Sequence, residues 1–168
     1  MIKFARVRRR MATVAAALVV AGGMATAAKP AEAAGWTCSS WQHKEFPTSG
    51  YNTDVDIRFC VKRYTVAHSG YAEVKWRDGG DWTKKFDNFD VKLRLERYDK
   101  DYDHATCSLE SQINLYESKT GACAIGHYVE SDSAKTGGWS VDGYDAYDLD
   151  ADGKGGKTWS LKGTPLIK

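Results

Sequence analysis

The residues with the most distinctive chemistry lie near the carboxy terminus, where Asp148-Leu149-Asp150-Ala151-Asp152-Gly153 forms a D-x-D-x-D-G string. Carboxylates on alternate residues can turn onto one hard cation, and the glycine permits the bend that gathers them. Calcium is the ion this pattern suggests, with the Lys154 carbonyl and Asp145 available to complete an oxygen shell. The string is not an EF-hand: with Asp148 as the first loop position, the twelfth is Trp159 where a bidentate glutamate belongs, and the following residues read as strand. Aspartate and glycine are also ordinary turn formers, so the competing reading is a plain acidic hairpin loop. A second run, Asp99-Lys100-Asp101-Tyr102-Asp103-His104, lacks the glycine and reads as a solvated turn between strands.

Catalytic patterns are sparse. His43, His68, His104 and His127 show neither H-x-x-x-H nor H-E-x-x-H spacing, which leaves a zinc site unsupported. There is no G-x-S-x-G and no glycine-rich phosphate loop. His127 falls on the inward phase of an alternating segment, the position of a hydrogen-bonded core histidine. The expectation is therefore a protein that is not an enzyme. Trp82, after Asp78-Gly79-Gly80-Asp81, and Trp139, after Gly137-Gly138, are the candidate ligand-binding residues, since an aromatic ring exposed there would stack on a sugar.

The elements that must position these residues read as strands. Val55, Ile57, Phe59 and Val61 alternate with polar neighbours, the half-buried pattern of a strand. Ala67-His68-Ser69-Gly70 reads as a turn, and Ala72, Val74 and Trp76 as the returning arm. Trp82, Phe86 and Phe89 sit in a stretch expected to cross between sheets, and Val91 to Arg97 alternates again. Asp99 to Thr106 reads as an acidic loop. Leu109, Ile113 and Leu115 fit neither period, and Cys123, Ile125, His127 and Val129 give another strand. Ser131 to Gly138 reads as a loop, and Trp139 to Leu149 as a strand interrupted near Gly143 by a bulge. Trp159 and Leu161 share one face of a final strand. Short strands with turn signals between them, and no window of helical period, predict an all-β fold. The expected form is an antiparallel β-sandwich, Ig-like or jelly-roll-like, with a closed barrel as the alternative.

Residues 1–33 read as a signal peptide: Lys3, Arg6 and Arg8-Arg9-Arg10, an alanine-rich apolar run, then Ala31-Glu32-Ala33 as an A-x-A cleavage site. Sec export reads slightly ahead of a twin-arginine route, and residues 34–168 are expected to form one secreted domain. Without the leader the chain holds 18 Lys+Arg against 21 Asp+Glu, a net charge near −3. The basic balance of the full sequence thus belongs to the leader, and nucleic-acid binding is not expected. No other apolar run is long enough to span a bilayer, so no membrane association is expected after cleavage. Cys38, Cys60, Cys107 and Cys123 all follow the leader, and an even count in an exported chain points to two disulfides. Of three connectivities, Cys38 with Cys60 and Cys107 with Cys123 close the shortest loops, each contributing about 3 kcal/mol.

Cys60-Val61-Lys62-Arg63, Val91 to Arg97, Gly138-Trp139-Ser140-Val141-Asp142-Gly143, Tyr147 to Gly155 and Trp159-Ser160-Leu161 span most of 54–165. On these segments the chain resembles small secreted proteins of actinobacteria without an established activity, which implies an exported β protein. The expected function is an extracellular binding module, calcium-stabilised if the aspartate string holds an ion, with a glycan, cell-wall component or protein as ligand. The alternative is a secreted inhibitor of a protease or amylase, with Arg77 to Lys84 and Ser131 to Gly138 as candidate loops. Trp76-Arg77 resembles the tryptophan–arginine pair of small actinobacterial amylase inhibitors, with Asp78 where those have tyrosine. A small secreted hydrolase on the same sandwich is the third reading.

Overall fold

In the hairpin at the centre of the first sheet, β3 (Thr53–Arg63) pairs with β4 (Ala67–Arg77) in a register that sets Val55 opposite Trp76, Ile57 opposite Val74 and Phe59 opposite Ala72. These residues are all buried. The alternate rows, Asp54 with Arg77, Asp56 with Lys75 and Arg58 with Glu73, face outward as cross-strand charge pairs. Period-two alternation thus sorts one face into the core and the other into solvent. The structure is a computed structural model and describes residues 35–64, 67–80, 82–125 and 137–168, with the backbone of 129–130. The expected signal peptide, His127 and most of the loop from Ser131 to Gly138 lie outside the described residues.

Two antiparallel sheets form the fold, as expected of a sandwich. In the first, β1 (Thr37–Cys38) and β2 (Gln42–Phe46) share the free edge of β3, while β7 (Ser118–Ala124) and β8 (Val129–Glu130) share that of β4. The second runs in the order β10 (Lys157–Leu161), β9 (Trp139–Leu149), β5 (Phe86–Arg97), β6 (Lys100–Ser108). Phe46 from β2 meets Phe86, Phe89, Tyr147 and Trp159 edge to face, filling one end of the space between the sheets. Both disulfides of the favoured pairing are present. Cys38–Cys60 joins β1 to β3, and Cys107–Cys123 joins β6 to β7 across the two sheets.

Several local expectations are corrected. Ala67 to Gly70 is strand, paired with Val61 to Arg63 and with β8. The acidic run from Asp99 is also strand: β5 turns into β6 over Tyr98 and Asp99, both at positive φ (48° and 61°), the pairing of conformations that matches strand twist in a two-residue hairpin. Leu109, Ile113 and Leu115 belong to a short helix, α1 (Glu110–Leu115), and its flank, where Leu109 and Ile113 are buried one turn apart. The β9 strand is continuous at Gly143. The glycine is required there because a Cβ would lie 2.0 Å from the Lys92 carbonyl oxygen. Phe86 and Phe89, three residues apart, both point inward because the register slips between Phe86 and Asn88.

Candidate functional site

Three segments meet at one end of the sandwich: 47–52 between β2 and β3, 78–80 with 82–85 between β4 and β5, and 114–117 at the end of α1 and just beyond it. Buried and half-buried polar groups clamp them. Asp78 N–H donates to the Glu117 carbonyl at 2.9 Å, and its carboxylate accepts from Gly80 N–H at 3.0 Å. Asn114 accepts from the backbone N–H groups of Lys85 and Phe86 at 2.8 and 3.0 Å and donates to the Phe86 carbonyl at 2.9 Å. The fully buried Lys85 ammonium donates to Thr83 Oγ1 and to the Ser49 carbonyl. Burial lowers its pKa, and Asp78 opposes that shift. Thr48 bridges the Tyr51 carbonyl and Thr53.

On this clamped base four large side chains are exposed, Trp82 at 90 %, Tyr51 at 62 %, Leu115 at 58 % and Tyr116 at 44 %, among polar neighbours that include Lys84 and Glu117. Trp82 and Leu115 line one shallow cleft with Asp78, Gly80, Asn114 and Glu117. Gly79 shapes the turn beneath them. Its φ is +77°, and a Cβ there would lie 2.7 Å from Tyr51 Cβ. Tryptophan and tyrosine are enriched among binding hot spots, and on preordered loops little freedom remains to be lost when a partner arrives.

The other candidate residues are dispersed. Trp139 is fully buried, stacked on His68 at 4.1 Å and tilted against Tyr102, so its ring cannot meet a sugar from outside. Its inward phase, shared with Val141, was the signal for this. Trp76 is also core, its indole N–H donating to the Tyr116 carbonyl, while Arg77 faces outward to Asp54, so the two form no joint contact surface. The aspartate string ends β9 with Asp148 and Leu149 and begins the turn toward β10. Asp150 pairs with Lys84 at 3.3 Å and Asp152 with Lys157 at 3.3 Å. Lys154 N–H and then Lys157 hold the Asp152 pKa below its ordinary value. Strand alternation puts Asp145 on the inward face, away from Asp148. Among the described residues no three acidic, histidine or cysteine side chains are gathered for an ion.

Asp145 is a feature of its own. It is fully buried, and neither carboxylate oxygen has a hydrogen-bond partner among the described residues. Burial pushes its pKa up to about 8, with Asp90 adding to the shift and Lys44 opposing it. Lys44 itself donates to Tyr147 Oη at 2.8 Å and lies 4.3 Å from the centroid of that ring. His68, stacked on Trp139, is likewise buried with no hydrogen-bond partner among the described residues, and burial, with Arg63 and Arg97, brings its pKa down to about 4.

The fold and the clamped loop end define a disulfide-stapled all-β sandwich with an exposed aromatic platform. No family model matches the chain, and no curated protein or solved structure is significantly similar to it. Among the described residues no helix is long and apolar enough to cross a membrane, and the two disulfides suit an oxidising compartment.

Proposed function

We propose that the protein is a secreted, non-catalytic binding module that docks on a partner protein outside the cell through the loop end carrying Trp82. The observation that carries this reading is the exposure of Trp82 beside Leu115 on backbones held by Asp78, Lys85 and Asn114. The aliphatic Leu115 beside the wide exposure of Trp82 favours a protein ligand here over a sugar. The export pattern of residues 1–33 and the paired cysteines support the extracellular setting.

The test compares the oxidised protein with Trp82→Ala and Leu115→Ser for capture of proteins from culture medium and cell-surface extracts. A partner held by the parent and lost by both variants, with thermal melts unchanged, supports the reading. A partner held equally by all three proteins counts against it. A secreted protease or amylase is one class of partner that a clamped 77–84 loop suits, and inhibition that disappears in Trp82→Ala identifies that case.

A further inference from the structure

The outward face of the second sheet carries two rungs that each cross three strands, Thr106–Lys92–Tyr144 and His104–Arg94–Asp142. Together with Asp101 they line a groove of about 440 Å³, within the range of pockets that hold small organic ligands. The backbone builds this groove first. Strand β5 slips register against β9 between Phe86 and Asn88, and against β6 between Leu95 and Glu96. Such irregularities bend a strand and increase its twist, and these two bracket Lys92 and Arg94. At the floor, Gly143 lets β9 close on β5.

The side chains are then fixed by one another. Arg94 Nε and Nη2 donate to the two Asp142 oxygens at 2.6 and 2.9 Å, and Nη1 donates to Asp101 at 3.3 Å. Glu96, buried under the array, lies 3.6 Å from Nη2. Exposed ion pairs of this sort add little to stability, so their main effect is orientation. Carboxylates surround the guanidinium and repel an anion, while Lys92 and Arg94 offset those acids and leave little to draw a cation. What remains is a preset group of donors and acceptors beside Tyr144, which is 39 % exposed and has Lys92 Nζ 5.6 Å from its ring centroid.

A ligand that matches must donate and accept within a few ångströms, carry no net charge, and offer an apolar face to a ring. A sugar ring does all three: its hydroxyls donate to carboxylates and accept from arginine and lysine, and its C–H face lies on tyrosine. We propose that this groove binds a neutral oligosaccharide, with Tyr144 as the stacking surface and Arg94 and Asp142 as the pair that reads the hydroxyls. The site is separate from the loop end, since Phe86, which begins β5 beside that end, lies six residues or roughly 20 Å along the strand from Lys92.

The test is amide NMR on the disulfide-bonded protein titrated with cellotetraose, chitotetraose and mannotetraose, with a heparin tetrasaccharide as the anionic counterpart. At least one neutral sugar is expected to shift the amides of 92–94, 104–106 and 142–144 at millimolar concentration or below. Tyr144→Ala and Asp142→Ala should each weaken that binding about tenfold while leaving core resonances in place. Tyr144→Phe should retain it, and so should Trp82→Ala. Shifts from the heparin sugar alone, no shift from any neutral sugar, or binding that survives Tyr144→Ala would each overturn the proposal.

Discussion

A carboxyl group with no hydrogen-bond partner in a core can stay there only in its neutral form, because the charged form loses far more solvation than a core returns. Asp145 meets that condition by holding its proton: folding raises its pKa from 3.8 to about 8. The native state thus keeps a proton that the unfolded chain has released, and the contribution of this group is full below about pH 4 and lost as pH rises through 8. His68 has the opposite sign. Folding lowers its pKa from 6.5 to about 4, so its contribution is full above pH 6.5 and lost as pH falls through 4. Between those values the two slopes cancel. Above pH 6.5 the His68 contribution is complete and no longer offsets that of Asp145, and at about 1.4 kcal/mol per unit the Asp145 contribution should fall by about 2 kcal/mol by pH 8. Urea unfolding at pH 5, 6.5 and 8 checks this. Asp145→Asn should flatten the fall above pH 6.5, and His68→Phe, which keeps a ring against Trp139, should expose a decline that begins near pH 4. Constant stability of the parent from pH 6.5 to 8 would show that Asp145 is not a buried neutral acid.

At the scale of elements, turns matter more than strands. Gly79→Ala would combine a left-handed backbone with a Cβ 2.7 Å from that of Tyr51, and should cost about 2 kcal/mol or more. Gly153 has a φ of +64° but nothing within 4 Å of a built Cβ, so Gly153→Ala should cost only about 1 kcal/mol. Thermal melts of the two variants separate strain with crowding from strain alone. These elements were unequally legible in the sequence. With one face buried, β3 and the 91–97 part of β5 alternate cleanly and are legible as strands, whereas the irregularity between Phe86 and Asn88 breaks the alternation and makes the first residues of β5 read as a crossing between sheets. The edge strand β6 does not stand out in the sequence, since it is polar along most of its length with no fully buried residue, and its two-residue turn carries Tyr98 and Asp99 in place of glycine or asparagine. The helix α1 is too short to display its period. Trp82 could be picked out by its glycine-flanked loop, but Tyr51, Leu115 and Asn114 join it only through the fold, from segments some 30 residues away on either side. The aspartate string was legible as a turn, but not its pairing with Lys84 and Lys157. With those carboxylates already neutralised, millimolar calcium should leave the melting temperature where chelator sets it. A rise that Asp150→Asn abolishes would instead establish a calcium loop.

At the scale of the molecule, the described residues form a sandwich with two open sides, and they are closed by different means. On the β2–β10 side, Gln42 donates to the Lys162 carbonyl at 2.9 Å and accepts from Lys162 N–H at 2.6 Å, Lys44 reaches Tyr147, and the Phe46 cluster fills the gap. On the β6–β7 side the closure is covalent, through Cys107–Cys123. The other bridge, Cys38–Cys60, ties a two-residue edge strand to a neighbour it already pairs with. Chain entropy alone barely distinguishes the bridges, whose sequence separations are 16 and 22 residues. Each should be worth about 3 kcal/mol. Their structural consequences differ, because only one joins the sheets. Replacing Cys107 and Cys123 together by alanine should therefore raise hydrogen exchange throughout β6 and β7 and in α1 between them, while the β2–β10 side stays protected. Replacing Cys38 and Cys60 by alanine should raise exchange only near residues 37–39 and their partners in β3. Mass-resolved hydrogen exchange on the two double variants at matched temperature reads this out. Uniform loss of protection in both would mean that the sheets unfold as one unit and that neither bridge has a local role; confinement of the first effect to β6, α1 and β7 would make the cross-sheet disulfide the lock on that side of the sandwich.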